Sequence, residues 1–376
     1  MLIFAAIVAI FIYGSIASML GTILPELSER FGLTPAQNGT IAFVQALGLI
    51  VASIGVGPLL DTEGYKVGLV LGLVLIAIAL FALPRSKGFR SILALLFLLG
   101  LGGGIIVAGA NALASNASNG HGATVLNLVN LFFGLGGLTT PFIAANLFKK
   151  NWVKLCYTVA TFTVITIFIQ MIPAMPAPTG AGFVLAEVGP VLGKPLLFML
   201  AALLFLSASS EVAVWNWLPR HLIAQGVPES RALNILSLGF ALGLLLGRVA
   251  VAPILINVPA VNVSLIASVC MAVTTYLMLQ TKKPLMAGIL VFAAGVSMAP
   301  IFPNIMAITG EAFPRMTGTA MGFVLTCGWV GLAVSSQIIG SIAGNDTMRL
   351  KKALLYIPTA SVLMVVLCVA IRLALK

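Results

Sequence analysis

Two short stretches decide how this chain is built: LPELSERFGLTP at residues 24–35 and LPRHLIAQGVP at residues 218–228. Each joins a Leu-Pro pair to a short polar, charged run that ends on a proline. Each is followed by an apolar segment with spaced glycines, Gly48, Gly55 and Gly57 after the first and Gly239, Gly243 and Gly247 after the second. The two stretches lie about 193 residues apart, and the same spacing carries Asn111 onto Asn304. A repeat of that period in a chain of 376 residues predicts two superposable halves.

What the halves are made of follows from composition. Hydrophobic residues make up 60% of the chain and charged residues 8%, against about a quarter charged in an ordinary soluble domain. With a mean hydropathy of +1.16 and apolar runs long enough to cross a bilayer core, a water-soluble globule is excluded. Apolar runs and breakers predict spans near residues 2–25, 38–60, 67–84, 91–114, 123–148 and 155–173, then 195–218, 230–252, 261–280, 285–309, 316–343 and 354–372. The fold class is therefore an all-α polytopic membrane protein. Its 12 transmembrane helices form an N-terminal bundle at 1–172 and a C-terminal bundle at 195–376, joined by a Pro/Gly-rich linker at 173–194. Parallel repeats of this kind are the design of alternating-access transporters, with the solute held near the midplane.

The formal charge of +11, from 20 Lys and Arg against 9 Asp and Glu, is spread over connections between spans. There it meets lipid headgroups, and nucleic acid is excluded as a partner. Cys156, Cys270, Cys327 and Cys368 sit in apolar runs without metal-ligand spacing, and His121 and His221 stand near span ends, so no metal site or cofactor is expected. Without a basic n-region or cleavage motif at the start, no signal peptide is expected either.

The connection after the second span reads GPLLDTEGYK, residues 57–66. It resembles the signature loop of the major facilitator superfamily, G-x-L-x-D-R-x-G-R-[RK], with Gly57, Leu59, Asp61, Gly64 and Lys66 in matching places and Thr62 and Tyr65 in place of basic residues. The resemblance implies a gate: Gly57 permits close helix packing, and Asp61 accepts hydrogen bonds from a neighbouring helix end. Three further segments resemble the fucose/galactose/glucose cation symporter branch: SSEVAVWNWLPRHL at 209–222, LNLVNLFFGLGGLTTP at 126–141 and GVSMAPIFPNIMAITGEAFP at 295–314. That branch implies sugar as substrate and H⁺ or Na⁺ as driving ion. Its fucose-type members use acids in helices 1 and 4, and this chain has none there.

Eight of the nine acids fall in connections; Glu211 alone stands inside a span. At 1.5 Å per residue it lies about 25 Å from Lys194 and about 13 Å from Arg220, within hydrocarbon depth. A carboxylate there is a functional candidate by default, and Glu211 is assigned cation coupling, by proton exchange or as a Na⁺ ligand, ahead of a direct substrate bond or a structural one. The candidate substrate groups are amides, which offer both donors and acceptors to hydroxyls, and indoles, which offer apolar faces: Gln45, Asn111, Asn127, Asn130, Asn216, Asn304 and Gln337, with Trp215 and Trp329. About half of such amides serve helix packing instead. No Arg or Lys stands at a span midplane; Arg248, at the end of the eighth span, reads as an interfacial gate residue with Gly57, Asp61, Gly64 and Lys66.

The chain is thus read as a monomeric, multi-pass protein of a bacterial inner membrane or plasma membrane. It moves a small neutral polar solute, a sugar by preference, through cation symport. A drug or lipid exporter and a passive uniporter are the alternatives, and an enzyme is not expected, since catalytic clusters are missing from the sequence. One count runs against the resemblance. Connections on the side opposite the signature loop carry fourteen basic residues, from Arg30 to Lys352, against Lys66, Lys194, Arg248, Arg315, Arg372 and Lys376 on the loop side. Positive-inside counting would invert the molecule; the family orientation is kept because the gate depends on that face. Impermeant maleimide added to cells is expected to label Ser86→Cys and spare Ala186→Cys, and the reverse pattern would establish the inverted topology.

Overall fold

The structure is a computed structural model that describes residues 1–148, 151–176, 185–281, 283–343 and 347–375. Those residues form helices and no strand: α1 (Leu2–Phe31), α2 (Pro35–Ala82), α3 (Phe89–Asn116), α4 (Gly122–Asn146), α5 (Trp152–Met171), α6 (Leu185–Leu192), α7 (Pro195–Ala224), α8 (Glu229–Asn234), a π-helical stretch (Ile235–Ala241), α9 (Leu242–Val251), α10 (Ala260–Gln280), α11 (Pro284–Met298), α12 (Ile301–Ala312), α13 (Thr317–Ala343), α14 (Thr347–Leu354) and α15 (Tyr356–Ala374). The short polar stretches set the boundaries. Gly32 takes the left-handed conformation (φ 60°) that ends α1. Thr34 then opens α2 with a reciprocal capping box: its hydroxyl accepts from Gln37 N, and Gln37 Oε1 accepts from Thr34 N at 2.8 Å.

Ten helices among the described residues are long and apolar enough to cross a membrane, and one of them runs over 49 residues, Gln37–Arg85. A straight helix of that length would measure about 73 Å, more than twice a bilayer core. Gly64, at φ 82° and ψ 170°, breaks it in two. Gly48 and Gly72, one in each arm, meet α3 at Gly100 and Gly102, so the chain has come back to the same depth. With the short apolar helix Leu238–Val251 counted as the eighth span, these residues give the 12 transmembrane helices expected. Their outer faces carry exposed apolar side chains such as Phe142, Phe168, Ile266 and Val366, as lipid contact requires. Two helices have no counterpart in the expectation: α6 inside the central linker, and α14, which carries Lys351 and Lys352 between the last two spans.

Two compact units are present. One comprises Met1–Val125, Val129–Pro190 and Gly310–Thr326; the other comprises Leu126–Leu128, Val191–Thr309 and Cys327–Lys376. Each is held by helices in backbone contact at small residues. In the first, a Cβ on Gly48 would strike the Phe97 carbonyl, one on Gly100 the Gln45 carbonyl, one on Gly104 the Ala52 methyl, and one on Gly136 the Phe11 carbonyl. In the second, the corresponding collisions are Gly243 with Phe292, Gly295 with Phe240, Gly247 with the Ala299 methyl, and Gly331 with Phe205. The two sets are one pattern repeated: every member of α2, α3 and α4 recurs 195 residues later, and Phe11 recurs 194 residues later.

That register corrects the sequence estimate of about 193. By count it carries Asn304 onto Gly109 and Asn111 onto Met306, so the two asparagines are not equivalents. The difference has a local cause. The helices start 194 residues apart, at Pro35 and Glu229. The π-helical stretch Ile235–Ala241 then absorbs one inserted residue, giving 195 beyond it.

Deleting Leu236 is therefore expected to restore an unbroken α-helix with Gly243 and Gly247 still facing α11, leaving the melting temperature in detergent within about 2 °C of the parent's. Deleting Leu246 turns Arg248 about 100° off its face behind intact glycine contacts at Gly243, and drives a larger side chain into the Gly247 position, at a cost of about 1–3 kcal/mol. Equal destabilisation by the two deletions would refute the insertion.

Candidate functional site

The signature-loop residues come together within the first unit. α13 begins at Thr317, so the Gly318 and Thr319 amides belong to its first turn and have no carbonyl of their own helix to meet. Asp61 supplies the acceptor: Oδ1 takes the Gly318 N–H at 3.1 Å, and Oδ2 takes the Thr319 N–H at 3.0 Å and the Thr319 hydroxyl at 2.7 Å. A negative charge at a helix N-terminus also meets the positive end of the helix dipole. Gly57, one turn before Asp61, lies against the Thr319 backbone, where any Cβ would collide. Gly64 makes the turn that follows, and Lys66 Nζ donates at 3.0 Å to the carbonyl of Met171, the last residue of α5. The loop thus presents an acid to one helix start and a base to one helix end. The sequence named the acid and the glycines but not their partner.

Arg248 does not join this group. Sequence depth alone puts it at the interface, and it is instead 6% exposed in the second unit, with Nε directed at the Ala299 carbonyl next to α11 at 3.4 Å. Its guanidinium is the charge that acts on Glu211 of α7. Glu211 is half-buried and also takes a hydrogen bond from the indole of Trp215, one turn further along the same helix. The Trp215 ring stands edge-on to Phe240 of the π-helical stretch, with centroids 5.4 Å apart and planes at 78°. One turn of α7 therefore carries a carboxylate and the indole that bonds it, with the Phe240 ring against the indole and the charge of Arg248 within electrostatic reach. Glu211 and Trp215 are candidates from the sequence, but the Glu211–Arg248 pairing joins residues 37 apart in the chain and leaves no local signal.

The amides sort into two clusters. In the first unit Asn130 Nδ2 donates to Asn111 Oδ1 at 2.7 Å, and Asn111 Nδ2 donates to the Val107 carbonyl at 2.7 Å. In the second, Asn127 Nδ2 donates to Asn304 Oδ1 at 2.9 Å, and Asn304 Nδ2 reaches Ser264 Oγ at 3.1 Å and the Ala260 carbonyl at 3.3 Å. All four are buried, and apart from the Asn111–Val107 bond within α3 these bonds tie helix to helix, the packing role that membrane amides commonly take. Gln45 is buried with its carbonyl against Gly100. Trp215 and Asn216 are exposed side by side and Trp329 is half-buried, while the side chain of Gln337 lies outside the described residues. Sequence reading missed the hydroxyl contacts: Ser264, and Ser209, which bonds the Tyr356 hydroxyl at 2.5 Å.

The family profile of the Major Facilitator Superfamily matches residues 6–336. The chain belongs to the Major Facilitator Superfamily. Among its relatives in that superfamily are the glucose/mannose transporter GlcP of Bacillus subtilis (strain 168), 24% identical over 382 residues that cover 96% of this chain and 92% of the relative, and the TsgA homolog of Citrobacter koseri, 24% identical over 89% of this chain and 85% of the relative. Solved structures of the same fold include a singly substituted form of the E. coli fucose:proton symporter FucP, with a TM-score of 0.85 and 16% identity over 98% of both chains. Another is the proton:xylose symporter XylE bound to 6-bromo-6-deoxy-D-glucose, with a TM-score of 0.78 and 13% identity over 97% of this chain and 94% of that one. The protein is a multi-pass integral membrane protein with the major facilitator architecture.

Asp61→Ala removes three bonds to α13, two of them from otherwise unpartnered amides, and is expected to lower stability in detergent by about 2–4 kcal/mol. Gly57→Val keeps the carboxylate but drives a side chain into Thr319, and shifts melting the same way. Unchanged melting of both variants would show that the carboxylate does not hold α13.

Proposed function

We propose that this protein is a secondary active transporter that carries a neutral sugar across the membrane by alternating access, coupled to symport of H⁺ or Na⁺. The observation that carries the reading is Glu211, a carboxylate at membrane depth with a guanidinium and an indole as neighbours. An ionisable group in that position costs several kcal/mol unless it is paired or working, and cation binding is the work a lone intramembrane carboxylate suits best. The neutral character of the other polar groups favours an uncharged solute. Trp215 and Asn216 offer the ring face and amide edge that a sugar uses, and Trp329, Gln45, Asn111, Asn127, Asn130, Asn304 and Gln337 remain the further candidates. That the relative GlcP of Bacillus subtilis is a glucose/mannose transporter supports the same substrate class.

In this reading Asp61 is the latch of the conformational cycle. Its bonds to Gly318 and Thr319 stabilise the state in which α13 meets the signature loop, and their loss permits the alternate state. The coupling step is occupancy of Glu211 by a cation. The protein works as a monomer and needs no cofactor other than the driving ion.

Purified protein is expected to melt higher with D-glucose or D-mannose than without, since a ligand that binds the folded state raises apparent stability. A shift should also depend on Na⁺ or on pH. In proteoliposomes Glu211→Gln is expected to reduce gradient-driven glucose accumulation at least tenfold while leaving glucose counterflow within about threefold of the parent's. Undiminished accumulation would remove Glu211 from coupling, and no shift with any sugar would remove the substrate class.

A further inference from the structure

The connection between the last two spans is longer than the fold requires. In the first half α4 ends at Asn146 and α5 begins at Trp152, so residues 147–151 suffice to join them. In the second half α13 ends at Ala343 and α15 begins at Tyr356, and residues 344–355 include an added helix, α14, with the sequence TMRLKKAL. Leu350, Ala353 and Leu354 are buried, at the spacing of one helix face. α14 packs on α7 and α15, so its apolar residues are taken up by the protein and not by the bilayer.

The other side of α14 is basic. Arg349 and Lys352 are exposed and three residues apart, which makes their side chains neighbours on one face. Lys351 turns towards the protein, where its Nζ donates to Gln280 Oε1, at the end of α10, at 2.7 Å. That bond holds α14 at the end of a span, three residues from the exposed Lys283. The charge of Lys351 also reaches His221, the residue after the exposed Arg220. Helix energetics do not account for this basic face. The dipole favours Lys351 and Lys352 in the last turn, but Arg349 stands in the first turn, at the positive end. α14 carries no acid, and in the second-half connections on this side seven basic residues stand against two acids, Glu229 and Asp346.

We propose that Arg349 and Lys352 bind the phosphate of an anionic phospholipid, phosphatidylglycerol being the simplest case, with Arg220 and Lys283 adding to the positive field around it. A guanidinium fork beside an ammonium suits a phosphate diester, whose single negative charge persists at every physiological pH. Charge selects the lipid: phosphatidylcholine offers the same phosphate but compensates it with its own cation. The bilayer is the source, because α14 is tied to span ends, at the level of the headgroups. A lipid held there clamps the ends of α7, α10 and α15 and draws on none of the groups proposed above for cation or sugar. It also gives the surplus of basic residues opposite the signature loop a local use.

The test is made on full-length protein in detergent, freed of native lipid and melted in mixed micelles. Dioleoylphosphatidylglycerol is expected to raise the melting temperature about 3–5 °C above that in dioleoylphosphatidylcholine, and high salt to remove most of the difference. Arg349→Gln/Lys352→Gln should lose about two thirds of that difference, and Lys352→Gln alone about half, so that the comparison survives if the pair folds poorly. Lys87→Gln/Arg90→Gln, an exposed pair in the first unit, should keep it, as should the charge-preserving exchange Arg349→Lys/Lys352→Arg. Equal losses in the two glutamine pairs would reduce the effect to diffuse surface charge and overturn the site. An equal response of the parent to the two lipids would overturn it without any variant. Glycerol 3-phosphate, the water-soluble part of the headgroup, should give no shift; one as large as the lipid's would assign the site to a free phosphate and overturn the lipid.

Discussion

Backbone contact between helices at glycine is the interaction on which the rest of this structure depends. Where Gly48 meets Phe97 and Gly100, and Gly243 meets Phe292 and Gly295, there is no room for a Cβ, so neither helix can slide or rotate against its neighbour. Lipid offers no hydrophobic drive for helix association, and close van der Waals packing at small residues takes its place. Because the contacts are rigid, they fix the angular position of every residue between them. Arg248 stands beside Gly247 in sequence, and its direction follows from that contact.

The same lack of water explains how charge is placed. Asp61 caps the start of α13, Lys66 caps the end of α5, and Glu211 lies within the electrostatic reach of Arg248. The first two use the partial charges that a helix leaves at its ends, and the third uses a full countercharge. Asp61 and Lys66 belong to a connection, where a latch has to form and break. Glu211 and Arg248 lie within spans, where there is little water to screen their charges.

Much of the fold is legible in the sequence because the bilayer imposes a length and a polarity on each segment. The twelve spans, the polar caps and the internal repeat follow from that constraint, and Glu211 stands out because carboxylates at that depth are rare. The repeat offset comes out short when prolines and asparagines are matched across a helix whose insertion leaves no mark in composition: Ile235 to Ala241 look like any apolar run, yet they fold as a π-helical stretch. Arg248 reads as interfacial for a related reason. Counting residues along a helix gives depth but not the face on which a side chain lies.

The sequence by itself determined the class of the molecule, its spans, its two-fold internal repetition, and the acid in the signature connection as an acceptor for a helix end. Only the tertiary structure decided that the helix end is Gly318 and Thr319, that Asn111 pairs with Asn130 and Asn127 with Asn304, and that Arg248 is buried with its Nε at the Ala299 carbonyl. The physical reason is one of range. Span length, capping and hydropathy are properties of neighbours along the chain, whereas a hydrogen bond between residues 61 and 319, or the register set by one inserted residue in a helix, exists only once glycine contacts have fixed which faces meet.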